Sequence, residues 1–172
     1  YQKGSGFIIP LSSRTADWWR STGKALEVVF AQAKSAGFDL QIAYGALLGH
    51  VREGSFVPHD DDVDLILHCG ERATPVGAAL EFFRRLELIS GQGKVRKATN
   101  GQAHVHFNFE RQVSLDVFAA WSFEGGYFQN FTIAGSIPES DVLPAKSDVF
   151  MGTEVLVPQN PEKVLAAIYG PG

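Results

Sequence analysis

Four aspartates, Asp60, Asp61, Asp62 and Asp64, crowd into five positions of this chain, directly ahead of the apolar residues Leu65, Ile66 and Leu67. Residues 63–67 have the composition of a strand, in which alternate side chains project from the same face. Asp62 and Asp64 therefore aim their carboxylates to one side while Val63, Leu65 and Leu67 take the other side into a core. Like charges packed this closely repel unless a cation neutralises them. Hard divalent ions, Mg²⁺ or Mn²⁺, prefer such oxygen ligands and hold phosphate oxygens in the same shell. The chemistry this pattern points to is phosphoryl transfer at a metal centre, where ions about 3.5–4 Å apart share carboxylates that generally include a third from another strand. Asp116 is the candidate third acid. It lies in Ser114-Leu115-Asp116-Val117-Phe118, an otherwise apolar strand in which an unpaired carboxylate is costly to bury.

Plainer readings compete. Asp116 can be a strand-end acid bonded to loop amides, and the acidic run can be a solvated loop. Asp60, Asp62, Asp64 and Glu71 also match positions 1, 3, 5 and 12 of an EF-hand loop. Position 6 of such a loop needs glycine for its turn, but here it is Leu65, so a calcium loop is rejected. His104 and His106 alternate with Val105 and Phe107, so they either line an active-site floor or face solvent. Directly opposed residues of a hairpin share a face. A three-residue turn at 110–112 sets His106 opposite Asp116, the chemically more sensible arrangement, whereas a two-residue turn sets Phe107 there.

The elements that must position these groups can be read from periodicity. Trp18, Leu26, Val29, Phe30 and Ala33 recur at helical spacing over residues 15–36, with Gly37 as the stop. Residues 40–43 are extended, and a glycine-led apolar segment, 44–52, reads as a turn opening a short helix. Residues 76–88 form a second amphipathic helix with Leu80, Phe83 and Leu86 inward. Strands follow at 103–109 and 113–119, joined as a hairpin. The last third is broken into short strands and loops by Gly125, Gly126, Pro138, Pro144 and Pro158. It ends in a helix with Asn160 as N-cap, Pro161 in the first turn and a stripe of Val164, Leu165 and Ile168. Mixed helices with a mostly antiparallel sheet make this an α+β fold.

At 172 residues and 45% apolar content the chain is long enough for one buried core, and residues 1–172 read as a single domain. Lys and Arg number 15 against 19 Asp and Glu, a net charge of −4 that equals the acidic run alone. No nucleic-acid partner is expected from that balance. The lone Cys69 excludes a disulfide or a thiolate zinc site. No apolar run is long enough to span a bilayer, and no secretory signal is evident. A start at Tyr1 with Met151 as the only methionine is expected of a domain excised from a longer chain, in which other domains are possible partners.

Tyr44-Gly45-Ala46-Leu47-Leu48-Gly49, then Arg52, then Val57-Pro58-His59-Asp60-Asp61-Asp62-Val63-Asp64 together resemble the signature of the LicD/fukutin family, which includes fukutin-related-protein-like phosphotransferases. Leu115-Asp116-Val117-Phe118 and a closing set of Gly152, Val157-Pro158, Pro161-Glu162, Leu165 and Tyr169-Gly170 extend the resemblance from about 43 to 170. It implies a nucleotidyltransferase-like, polymerase-β-type fold with a mixed sheet flanked by helices. It implies Asp62, Asp64 and Asp116 as catalytic metal ligands, with Asp60 in support. The backbone of Gly45 and Ala46 would face donor phosphates, as helix N-termini do. Arg52 and Lys146 are candidates for holding phosphate, and His106 for contacting substrate. Two departures stand out: Ala46 replaces the family's hydroxyl residue, and His59 replaces the aromatic residue before the first aspartate.

The reaction the resemblance implies is transfer of ribitol phosphate, glycerol phosphate or phosphocholine from a CDP-activated donor to a glycan or polysaccharide acceptor, with release of CMP. Capsule, teichoic acid or other cell-wall synthesis in the bacterial cytoplasm is the expected setting, in preference to a Golgi lumen. Asn130-Phe131-Thr132 fits a glycosylation acceptor, a triplet that also arises by chance. One rival is a nucleotidyltransferase acting on a small molecule or an RNA end. Another is a non-catalytic glycan-binding domain built on Trp18, Trp19 and Trp121.

Overall fold

The computed structural model describes residues 2–3, 6–7, 10–60, 62–99, 101–130 and 133–171. Asp61, and Phe131 and Thr132 of the glycosylation triplet, lie outside the described residues. A short pair, β1 (Gln2–Lys3) and β2 (Gly6–Phe7), precedes α1 (Ala16–Ser35). Thr15 caps α1 by accepting from the Trp18 N–H at 3.3 Å, and the chain leaves it through Gly37 at φ +68°. The face expected to be apolar is buried, Trp18 included. Trp19 packs edge-on to Trp18 and beside Phe56, and Trp121 stacks on Phe128, so no tryptophan stands out as an exposed sugar platform.

The chain continues through β3 (Leu40–Ile42), α2 (Tyr44–Glu53), β4 (Asp64–Glu71), α3 (Pro75–Ser90), β5 (Lys94–Thr99), β6 (Gln102–Asn108) and β7 (Gln112–Phe123). Then come β8 (Gly126–Gln129), β9 (Ile133–Pro138), β10 (Lys146–Phe150), β11 (Thr153–Val157) and α4 (Pro161–Tyr169). The strands from β3 to β11 enter one mixed sheet of order β10-β11-β3-β4-β7-β6-β5, with β8 and β9 extending from the second half of β7. Most pairings are antiparallel, as expected, but the central pair β4–β7 and the pair β3–β11 are parallel. The α+β reading holds, with helices flanking a mixed sheet. α1 and α3 pack together against β4 and β7, while α2 and α4 pack together on the β4 and β9 side. β4 is buried on both faces, whereas β6 alternates buried and half-buried residues, so one face of that hairpin stays partly open. No helix of the described residues is long and apolar enough to cross a membrane.

Two local expectations need correction. α3 turns Ala78, Phe82, Leu86 and Ile89 inward and leaves Leu80 69% exposed. The helix carries two apolar stripes of equal helical spacing, and packing against α1 and the sheet selects the one with Phe82. Asn160 occupies the N-cap position of α4 but makes no side-chain cap bond, because its amide donates to Asp141 Oδ1 at 2.7 Å instead.

Candidate active site

Parallel pairing sets Asp64 directly beside Asp116, and the Asp116 N–H donates to the Val63 carbonyl at 2.9 Å. Each of Asp62, Asp64 and Asp116 contributes a carboxylate oxygen to a cluster whose atoms all lie within 4.8 Å of one another. Burial, then the charges of Asp62, Asp116 and Asp60, push the Asp64 carboxyl up to about 8. Three carboxylates that converge from two paired strands, one of them pressed toward its neutral form by burial and like charges, form an all-oxygen donor set of the kind a hard divalent cation takes. The residues present therefore fit Mg²⁺ or Mn²⁺.

The glycine-led motif explains how the acids are assembled. A β-carbon on Gly45 would sit 1.8 Å from Asp60 Oδ2, so only glycine lets that carboxylate lie over the first turn of α2. At Gly49 a β-carbon would strike the backbone of residues 55–57 at 2.3–2.8 Å, so the second glycine lets the loop fold back toward the acids. The Gly45 N–H hydrogen-bonds the Asp64 carboxylate and opposes its rise. The positive end of α2 thus serves a carboxylate of the chain itself. Ala46, expected to meet substrate through its backbone, is fully buried, main chain included, and presents no atom at the surface. Tyr44 begins the helix at φ +42°, a conformation held by its hydroxyl, which donates to the Asn130 carbonyl at 2.9 Å, and by Phe118 against its ring.

The hairpin register differs from the expected one. His104, not His106, lies opposite Asp116, and their Nδ1 and Oδ1 atoms are 2.6 Å apart. The turn is residues 109–111, two positions earlier in paired sum than the register that favoured His106, because α1 holds it there. The Arg111 N–H donates to Ser21 Oγ at 3.1 Å, and Arg20 Nη2 donates to Glu110 at 3.1 Å. His106 faces Ser114 one row away and accepts from the Gln112 amide.

Of the other expected residues, Asp60 joins the acids, whereas Arg52 and Lys146 do not. Arg52 is exposed in the last turn of α2, seven residues beyond Gly45 and so about 10 Å along the axis. Lys146 is exposed on the outermost strand β10, three strands from β4, or about 14 Å across the sheet. Tyr169 was not expected in the site beyond its place in the closing motif. Its phenol, at the end of α4, is pushed up to about 12 by burial and then by the Asp64 and Asp60 carboxylates nearby. The only signal for it in the chain was the Tyr169-Gly170 pair itself.

Residues 37–160 match the family described as LicD/FKTN/FKRP, nucleotidyltransferase domain, a span that holds the acids, the glycine motif and both histidines. Two solved structures are similar. One is a crystal structure of ANT(2")-Ia in complex with adenylyl-2"-tobramycin, 17% identical with a TM-score of 0.49 over 80% of this chain and 68% of that chain. The other is a solution structure of the antibiotic-resistance factor ANT(2'')-Ia, 18% identical with a TM-score of 0.49 over 81% and 65%. This chain therefore spans about two thirds of the length of those proteins. No curated protein matches the sequence.

Proposed function

This chain belongs to the LicD/FKTN/FKRP nucleotidyltransferase family, and from that premise we propose that it is a metal-dependent transferase that moves a phosphorylated alcohol from a CDP-activated donor to a glycan hydroxyl and releases CMP. The observation that carries the reading is the convergence of Asp62, Asp64 and Asp116 from the ends of two paired strands. These three residues would hold a divalent ion, which would supply positive charge against the negative charge that develops in the transfer. Asp116, held by His104, accepts the proton of the acceptor hydroxyl. That oxygen bonds to the phosphorus bearing the alcohol as the bond from this phosphorus to the CMP oxygen breaks. The Gly45 amide keeps Asp64 in place.

Asp62→Asn or Asp64→Asn should lower transfer by about a hundredfold or more while circular dichroism stays native. Near-normal turnover by either purified variant overturns the assignment. Thermal shifts with CDP-ribitol, CDP-glycerol and CDP-choline, each with and without Mg²⁺, identify the donor, since a ligand of the native state raises its stability. The family's description as a nucleotidyltransferase domain favours one second reading, transfer of a nucleoside monophosphate with release of pyrophosphate. Product mass separates the two: the acceptor gains a phospho-alcohol in the first and a nucleotide in the second.

A further inference from the structure

The half-open face that carries His104 and Asp116 continues from β7 across β6 to β5, and its charge changes sign on the way. Register sets Lys94 opposite His106 and His106 opposite Ser114, so these three share a face with Asp116. Arg96 is the extra residue where the β5–β6 register shifts between Val95 and Lys97. Its charge reaches the His106 ring, which binds a proton less readily because of burial first and Arg96 second. At this edge is a hollow of about 130 Å³ lined by Gln92, Lys94, His106, Phe107, Asn108 and Phe109.

Size, donors and charge each mark this hollow as a seat for an anionic group. Its volume is far below the roughly 300 Å³ at which pockets begin to take whole small molecules, so it suits a substituent and not a sugar ring. The Gln112 amide donates to His106 Nδ1 at 3.2 Å, which leaves the ring proton on Nε2. His106 lines the hollow together with Lys94, whose ammonium can only donate. Among the described residues neither Lys94 nor Arg96 forms an ion pair, whereas Arg72, Arg84 and Arg85 are all tied to Glu81.

The sheet also says what reaches the hollow. β5 is two strands from β7, about 10 Å by strand spacing. The opposite side of the acids is occupied by the start of α2, by Asp60 and by Tyr169. We propose that the acceptor lies over β6 and β5 and that the hollow binds its phosphate or carboxylate, so that this transferase acts on an anionic glycan. The role as acceptor seat rests on the transfer proposed above, whereas the anion binding itself needs no metal.

The test is a titration of the ¹⁵N-labelled protein in EDTA with D-glucose 6-phosphate, D-glucuronate and D-glucose, read by amide chemical shifts. Both anionic sugars should move the amides of Lys94, Arg96 and His106 and glucose should not, with the tighter of the two naming phosphate or carboxylate as the group recognised. Lys94→Glu with Arg96→Glu, both on the exposed edge strand, should weaken the anionic sugars about tenfold, and Asp64→Asn should leave their binding unchanged. Equal shifts with glucose, undiminished binding by the charge-reversed protein, or shifts confined to Gly45 and Ala46 overturn the proposal. Failure of the transfer reading would look different: Asp64→Asn would remain active while the edge amides still responded to the anionic sugars.

Discussion

The two ends of the β4–β7 strand pair bury polar side chains equally deeply and use them in opposite ways. At one end Asp64 and Asp116 are 9% and 8% exposed; four residues along β4, His68 is 6% exposed against a fully buried Ser122. Burial drives both Asp64 and His68 toward the neutral form, Asp64 up to about 8 and His68 down to about 4. For His68 the neutral form is a finished structure. Its Nε2 meets Ser122 Oγ at 3.0 Å, and its Nδ1 accepts from the Gly70 N–H at 3.3 Å. Arg85 donates to the His68 carbonyl at 2.6 Å and to Glu81 at 2.6 Å, and Arg72 and Arg84 also pair with Glu81. At the Asp64 end, carboxylates crowd one another with the Gly45 amide and His104 as counterweights. A buried polar group satisfied within the chain is structure, whereas carboxylates that converge on one another make a donor set suited to a divalent cation.

Asp64→Asn strikes that contrast at its widest point. The amide keeps an acceptor for the Gly45 N–H and removes the charge that Asp62, Asp116 and Asp60 oppose. The folded-state pKa of about 8 lies above the ordinary 3.8, so the folded protein binds an extra proton between those values. The metal-free native protein therefore loses stability as pH rises from about 4 toward 8. Urea melts in EDTA at about pH 8 should find the variant more stable by on the order of a few kcal/mol. Mg²⁺ should raise the melting temperature of the native protein and leave that of the variant unchanged. A variant less stable than native at that pH would make the acids structural, like the His68 end.

Which residues make the site was largely legible from period and cost. The two-residue spacing of Asp62 and Asp64 and the isolation of Asp116 in an apolar strand each carry a physical reason that needs no tertiary knowledge. Thr15 and the apolar face of α1 were legible on the same local grounds. What was not legible is set by distant partners. The parallel pairing of β4 with β7 joins segments separated by α3, β5 and β6, and nothing local announces it. The His104 register depends on Ser21 and Arg20 of α1 holding the turn, ninety residues away in sequence. α3 offered two apolar stripes of like spacing, and only packing could choose between them. Nor was the close approach of Asp60 to Gly45 legible, since it sets a steric demand for glycine that only the folded loop reveals.

The paired end can be broken by acid. The folded-state pKa of His68, about 4, lies below the ordinary 6.5 because of burial, so its contribution is present above 6.5 and lost as pH falls through 4. At about pH 5 the native protein should have lost about 2 kcal/mol on this account. His68→Gln keeps a polar group toward Ser122 and cannot protonate in this range, so it should start somewhat less stable and lose none of that increment. Urea melts of both proteins at neutral pH and at about pH 5 provide the check. An equal acid loss in the two assigns the effect to other groups and weakens the claim that this end is complete only when neutral.

Each end also holds one histidine, and His104 offers the finest test of the contrast. His68 is bonded through both ring nitrogens to groups that do no chemistry, whereas His104 spends Nδ1 on Asp116 Oδ1. A bond of that kind orients a ligand carboxylate, and losing it typically costs tenfold to a hundredfold in metal affinity. Asparagine places its amide nitrogen near the position of Nδ1, and glutamine places it near that of Nε2. His104→Asn should therefore bind Mn²⁺ with near-native affinity by calorimetry, while His104→Gln should bind about tenfold more weakly. A merely structural histidine would not distinguish the two amides in this order. Equal, native-like affinities in both variants would mean that Asp116 ligates without help, and the acid end would then owe its geometry to the strand pairing and the Gly45 helix start alone.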